Sequence, residues 1–235
     1  MIALWMTLLL PLSGMLLLAL VGHHRQAGWL NVFINAASLA AALWLAWIVL
    51  HQGPLLSPGK LLYIDAFNVY LVALTAFVGF TTAIFSRTYM QHEVDARHLG
   101  RRRMRLYHSM FQGFMFAMMA ALTTNNVGIL WVAMEGATLA TVLLVSLYRT
   151  PEAVEAAWKY FILCGVGIAQ ALFGTVLLYF AAERVIPNAD DALAWTVLYQ
   201  SAGQLEPTVL TIAFVFLLVG YGTKVGLVPL HNWLP

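Results

Sequence analysis

The sequence predicts an all-α integral membrane protein. Of its 235 residues, 62% are hydrophobic and only 9% are charged, whereas a soluble domain carries about 25% charged residues. The apolar residues fall into about seven runs, each near the roughly 20 residues that a helix needs to cross hydrocarbon. The connections between runs are polar and rich in turn residues. In water, a chain of this size could not hide so much apolar surface.

The first run, Ile2–Gly22, has no basic leader and no small-residue cleavage site before His23, so it reads as a span and not a signal peptide. The second is Trp29–Leu50. The loop after it, Gln52–Lys60, holds Gly53, Pro54, Pro58 and Gly59 and must turn sharply. The third run, Asp65–Ser86, starts on an aspartate that either caps the helix or anchors it at the surface. The fourth is Leu106–Leu122. The link Thr123–Asn126 is so short that the fourth and fifth spans must be antiparallel neighbours. The fifth run is Val127–Tyr148 and the sixth is Ala157–Ala182. The longest connection, Glu183–Pro207, is mildly acidic and reads as loop. The seventh run, Thr208–Leu230, is broken at Gly226 and Pro229. Proline removes a backbone donor and displaces the carbonyl of Val225, and Gly220, Gly222 and Gly226 loosen the same stretch. Freed backbone groups are tolerated in a membrane only where protein or a wet cavity covers them. The helix looks unfinished at Pro235, which marks the N-terminal piece of a longer protein. Two parts result: 1–105, with three spans and a basic loop, and 106–235, with four.

The basic residues set the expected orientation. Arg25, Arg87, Arg97, Arg101, Arg102, Arg103, Arg105 and Arg149 share one side, while Lys60 and Arg184 lie on the other. This places the N-terminus outside and the Arg101–Arg105 run in the cytoplasm, where it also meets anionic lipid. The single cysteine, Cys164, rules out an internal disulfide. No CxxC, GxGxxG, P-loop or HExxH pattern is present, so no cofactor is expected in this chain, and the short basic run against a membrane gives no case for nucleic acid.

The candidate functional residues are charges at depth. Glu135 lies in the middle of the fifth run and Lys224 late in the seventh. Each costs roughly 2.5–3.5 kcal/mol on insertion, and a plain anchor would use neither. At 1.5 Å per residue their heights differ by roughly 10 Å or less, so a pair, direct or through water, is within reach. Such a pair reads either as a static lock between helices or as a working site, and a lysine beside a helix break favours the second. Lys159, at the cytoplasmic end of the sixth run, either snorkels beside Glu155, its i−4 neighbour, or forms the inner step of a ladder. Thr138 shares the Glu135 face, and Thr141 and Ser146 could order water. His231, two residues after Pro229, is either a proton relay or an interfacial histidine. His108, beside Tyr107, reads as interfacial.

The stretches NNVGILWVAMEGATLATVLLVSLYRT, EAAWKYFIL and GYGTKVGLVPLHNWLP, together with SRTYM at Ser86–Met90, resemble the antiporter-like membrane subunits of respiratory complex I, Mrp antiporters and energy-converting hydrogenases. Asn126–Ala182 is most similar to the hydrogenase-4 component F and formate hydrogenlyase type. The resemblance implies that Glu135, Lys159 and Lys224 stand at the family's helix-five glutamate, helix-six lysine and broken-helix lysine, with His231 at the residue after the helix-seven proline. It implies an incomplete inverted-repeat fold, a bacterial inner-membrane location, and a subunit that moves protons while partner subunits, membrane and redox, carry out the electron transfer of a hydrogenase or NADH-dehydrogenase-like oxidoreductase. A Na⁺/H⁺ antiporter subunit, or a truncated scaffold that transports nothing, fits the same residues.

Overall fold

In lipid, a single segment must close its own backbone hydrogen bonds, and a helix does this. The computed structural model describes residues 1–96 and 98–234; Arg97 of the basic run and the terminal Pro235 lie outside the described residues. The helices are α1 (Ile2–Val21), α2 (Ala27–Gln52), α3 (Ala66–Asp95), α4 (Arg101–Thr123), α5 (Val127–Val145), α6 (Pro151–Glu183), α7 (Trp195–Ser201) and α8 (Pro207–Val225). Six of these segments, α1, α2, α3, α6, α8 and α5 with its continuation to Tyr148, are long and apolar enough to cross a membrane. The chain is a multi-pass membrane protein.

The fourth expected span corresponds to α4, whose polar residues His108, Ser109 and Gln112 are buried inside the bundle. Its first turn borders a depression shared with His23, which follows α1. Just beyond its last turn, the Asn125 amide donates to the Leu61 carbonyl, which follows α2 (2.8 Å). The helix therefore runs from one end of the bundle to the other, and polar packing against protein replaces the apolar surface that a lipid-facing helix would need.

Helices α1–α4 form one packed group around Leu4, Leu45, Val72, Met115 and Met119. Inside it, Gln112 Nε2 donates to Asn31 Oδ1 at 2.7 Å and Ser109 Oγ to the Met15 carbonyl at 3.0 Å. Between membrane helices, where the hydrophobic effect gives no attraction, such bonds and close packing hold the group together. Helix α4 passes contact to α5, α5 to α6, and α6 to α8, the most extensive pairing in the chain. The α4–α5 packing agrees with the short link between them.

One face of the bundle is knotted at Asn125. Its amide nitrogen donates to the Lys60 carbonyl and Thr196 Oγ1, its side-chain oxygen accepts from Thr196 N, and its carbonyl accepts from Trp195 N. Three connections meet there. The first folds as a small antiparallel ladder, β1 (Leu55–Leu56) with β2 (Tyr63–Ile64). Asp65 then caps α3, accepting from Phe67 N and Asn68 N while Asn68 Oδ1 accepts from Asp65 N, a reciprocal capping box. The connection expected as plain loop carries α7, and Leu198 and Leu205 from this connection pack beneath it with Ala182 and Ile186. Lys60 Nζ meets Asp191 Oδ2 at 2.7 Å. The hydrogen bond from Lys60 holds the Asp191 carboxyl below its usual range. This clamp is therefore present above the ordinary carboxylate range and is lost as pH falls through the lowered value.

Helices α6 and α8 approach closely because small residues line the contact. A Cβ on Gly220 would stand 2.6 Å from Ala171 N and 2.7 Å from the Gly167 carbonyl. Gly220 thus tightens the seventh span where the sequence alone read it as a loosening residue. Gly220→Ala is expected to destabilise the protein by about 1–3 kcal/mol through overpacking. Gly165→Ala, where a Cβ meets nothing within 4 Å, should leave the melting temperature of the detergent-extracted protein unchanged, and a thermal melt of both variants checks the contrast.

Candidate functional site

Helix α8 is fixed at both ends. At its start the Glu206 carboxylate accepts from Thr208 N and Val209 N. At its end Gly226 takes up the left-handed conformation (φ 81°, ψ 36°). Gly226 N donates to the Thr223 carbonyl at 3.1 Å and Leu227 N to the Gly222 carbonyl at 2.9 Å, a Schellman stop. The seventh span is therefore interrupted at Gly226, and α8 ends at Val225 instead of running to Leu230; Pro229 lies beyond the helix. Lys224 sits in the last turn, and an anion at the start with a cation at the end both suit the helix dipole.

The chain beyond Gly226 folds back over this end. Trp233 Nε1 donates to the Thr223 carbonyl at 2.8 Å, satisfying a terminal acceptor, and its ring lies 5.1 Å from that of Tyr160. The Lys224 ammonium donates to Thr138 Oγ1 at 2.7 Å and to Tyr160 Oη at 2.6 Å. Tyr160 Oη in turn lies 2.8 Å from Thr141 Oγ1, which reaches the Ala137 carbonyl at 2.9 Å. An ammonium only donates, while a hydroxyl donates and accepts. The bonds therefore run in one direction, from Lys224 through Tyr160 and Thr141 to the α5 backbone. Three helices supply this string: α8 the lysine, α6 the tyrosine and α5 both threonines.

Glu135 lies one turn before Thr138 on α5. It is half-buried, one of its carboxylate oxygens is buried with no hydrogen-bond partner, and Lys224 is within electrostatic range. The two do not touch: among the described residues the ion pairs are Lys60–Asp191, His98–Glu93 and Lys159–Glu155. Thr138 stands between them. Lys159 lies on the outer face of α6, 2.6 Å from Glu155 and 64% exposed, beside Tyr160 in sequence but outside the hydrogen-bonded string. His231 lies in the folded-back segment with its Nδ1 buried and unpartnered. Ser146 bonds only to the Leu143 carbonyl of its own helix. His108, expected at the interface, is buried (3% exposed) because the α1–α2 turn and the end of α3 fold over it.

Sequence reasoning missed Tyr160 and Trp233. Tyr160 adjoins Lys159 and Trp233 follows His231 by two positions, and their direction depends on how α6 meets α8. The readable signal was the small-residue spacing Gly167, Ala171, Gly174, which marks the α6 face turned toward α8.

Residues 124–235 match the model of the NADH:quinone oxidoreductase/Mrp antiporter membrane family. The chain as a whole is 47% identical over 228 residues to a hydrogenase-4 component F homolog of Methylacidiphilum infernorum, covering 97% of this chain and 47% of that protein. It superposes on a chain of an archaeal membrane-bound sulfane sulfur reductase with a TM-score of 0.80 at 22% identity, covering 98% of this chain and 46% of the other. It superposes on a chain of the Mrp complex of Dietzia sp. with a TM-score of 0.78 at 19% identity, covering 100% and 43%. At these identities the two structures establish a shared fold. The chain spans about half the length of the curated relatives it matches.

Tyr160→Phe removes one acceptor from a half-buried ammonium and one donor from Thr141. A hydrogen bond to a charged group is worth about 1.5–3 kcal/mol. The variant should therefore lower thermal stability measurably, whereas Lys159→Gln, which breaks only an exposed pair, should change it by less than about 1 kcal/mol.

Proposed function

We propose that this chain is part of a proton-translocating subunit of a hydrogenase-like or complex-I-like membrane assembly, and that Lys224 is the group that holds and releases the proton. The observation that carries the reading is the Lys224 environment: an ammonium bonded to two neutral hydroxyls, with the Glu135 carboxylate one turn before Thr138 on α5 and not paired to the lysine. Neutral hydroxyls solvate the charge without cancelling it. Drawing Glu135 toward Lys224 favours the charged lysine, and neutralising or withdrawing Glu135 favours release. The hydroxyls of Thr138 and Tyr160 orient the ammonium, while the string through Thr141 ends on the Ala137 carbonyl, which only accepts and passes no proton on. Lys159 and His231 are the candidate next groups on either side of the string, reached through water. The 47% identity to a hydrogenase-4 component F homolog supports hydrogenase-type partners. In this reading those partners hold the redox centres, the membrane is the bacterial inner membrane, the N-terminus lies outside, and the arginine-rich turn before α4 faces the cytoplasm.

In the parent assembly, Glu135→Gln and Lys224→Ala should reduce redox-coupled proton uptake by inverted vesicles to background while electron transfer continues. Unchanged uptake in either variant defeats the proposal. If uptake persists only when sodium is supplied, the exchanged ion is Na⁺.

A further inference from the structure

The end of the bundle opposite the Asn125 knot holds a cavity of about 300 Å³ between the α1–α2 turn, the last turns of α3 and the first turn of α4. Arg25, Arg87 and Arg101 line it, with Asp95 as the one carboxylate, so its wall carries an excess of positive charge. A second depression beside it adds Arg102 and Arg105. His108 also lines the cavity. It is 3% exposed, and its Nδ1 is buried with no hydrogen-bond partner among the described residues.

A separate apolar groove of about 540 Å³ begins at the same turn. Trp29, Leu30, Phe33 and Val21 line it, and His24 borders both the groove and the charged cavity. Trp29 and Phe33 are largely exposed, and the Arg87 guanidinium lies 3.8 Å over the Trp29 ring, at the boundary between the two. Head cavity and tail groove thus adjoin at His24 and the Arg87–Trp29 contact, the first polar toward the loops and the second apolar along α2.

We infer that this end of the bundle is a binding site for one anionic phospholipid, its phosphate among Arg25, Arg87, Arg101 and His108 and an acyl chain along Trp29 and Phe33. The phosphate oxygens accept from the guanidiniums, which present paired donors suited to phosphate. A free phosphate would use the cavity but not the groove, and the groove is what favours a lipid. The site shares no residue with the Lys224 string.

Native mass spectrometry of the intact assembly, stripped of lipid and then offered phosphatidylglycerol or phosphatidylcholine, tests this. Retention of the anionic lipid over the zwitterionic one is expected. The double variant Arg25→Gln/Arg101→Gln should lower that retention at least about tenfold, each arginine near the surface contributing about fivefold. Phe33→Ala should weaken both lipids, and Arg184→Gln, on the opposite face, should change neither. Equal retention of the two lipids, or an unchanged double variant, overturns the proposal. So does displacement of the lipid by millimolar inorganic phosphate, which would make the ligand a free anion. An assembly that takes up no anionic lipid, the outcome if an acidic segment of a neighbouring subunit fills the cavity, overturns it as well.

Discussion

The close approach of α6 and α8 is the constraint on which the site rests. Two helices meet closely because Gly220 lies against the α6 backbone at Gly167 and Ala171, while Gly167 and Gly174 make room for Thr223 and Leu217 of α8. That contact sets the distance at which Tyr160 and Lys224 can bond. It also brings the lysine close enough to α5 to reach Thr138, although α5 and α8 have little direct packing of their own. In lipid, where burial of apolar surface drives helices together only weakly, such contact supplies dispersion that larger residues would forfeit. The charged residue is thus carried by a scaffold of the smallest ones.

Most of the fold was legible because lipid allows few alternatives. A run of about 20 apolar residues can do little except form a helix, and Gly226, Asp65 and the short Thr123–Asn126 link each act on the backbone within a residue or two of themselves. What was not legible depended on partners distant in sequence. Asn125 looks like an ordinary turn residue until Lys60 and Thr196 arrive beside it. His108 reads as interfacial because its neighbours are arginines and a tyrosine, yet two other segments cover it. The seventh span could be seen to break, but only the hydrogen bonds at Thr223 and Gly222 show a full stop followed by a chain that turns back. Glu135 and Lys224 stood out as costly charges; the hydroxyls that solvate the lysine did not, since Tyr and Thr are common and unremarkable in membrane helices.

The two halves of the bundle solve the polar problem differently. In α1–α4 the buried polar groups, chiefly Gln112, Asn31, Asn35 and Ser109, are neutral and mostly bonded to one another or to backbone carbonyls. They fix register and hold no net charge. In α5–α8 the half-buried polar set includes a carboxylate and an ammonium that do not pair with each other. Low dielectric makes an unpaired charge sensitive to any change around it. A rigid neutral half packed beside a responsive charged half gives the second something fixed to move against.

The Asn125 knot has a mechanical consequence. Because three connections converge on a single side chain, the lead-in to α8 and the start of α5 are tethered to the same point. The far tip of α8, beyond Gly226, is held by a single indole–carbonyl bond and aromatic contact. Helix α8 also lies against α6 and ends with Lys224 bonded to α5 and α6, so any shift of its lead-in reaches the lysine through that packing.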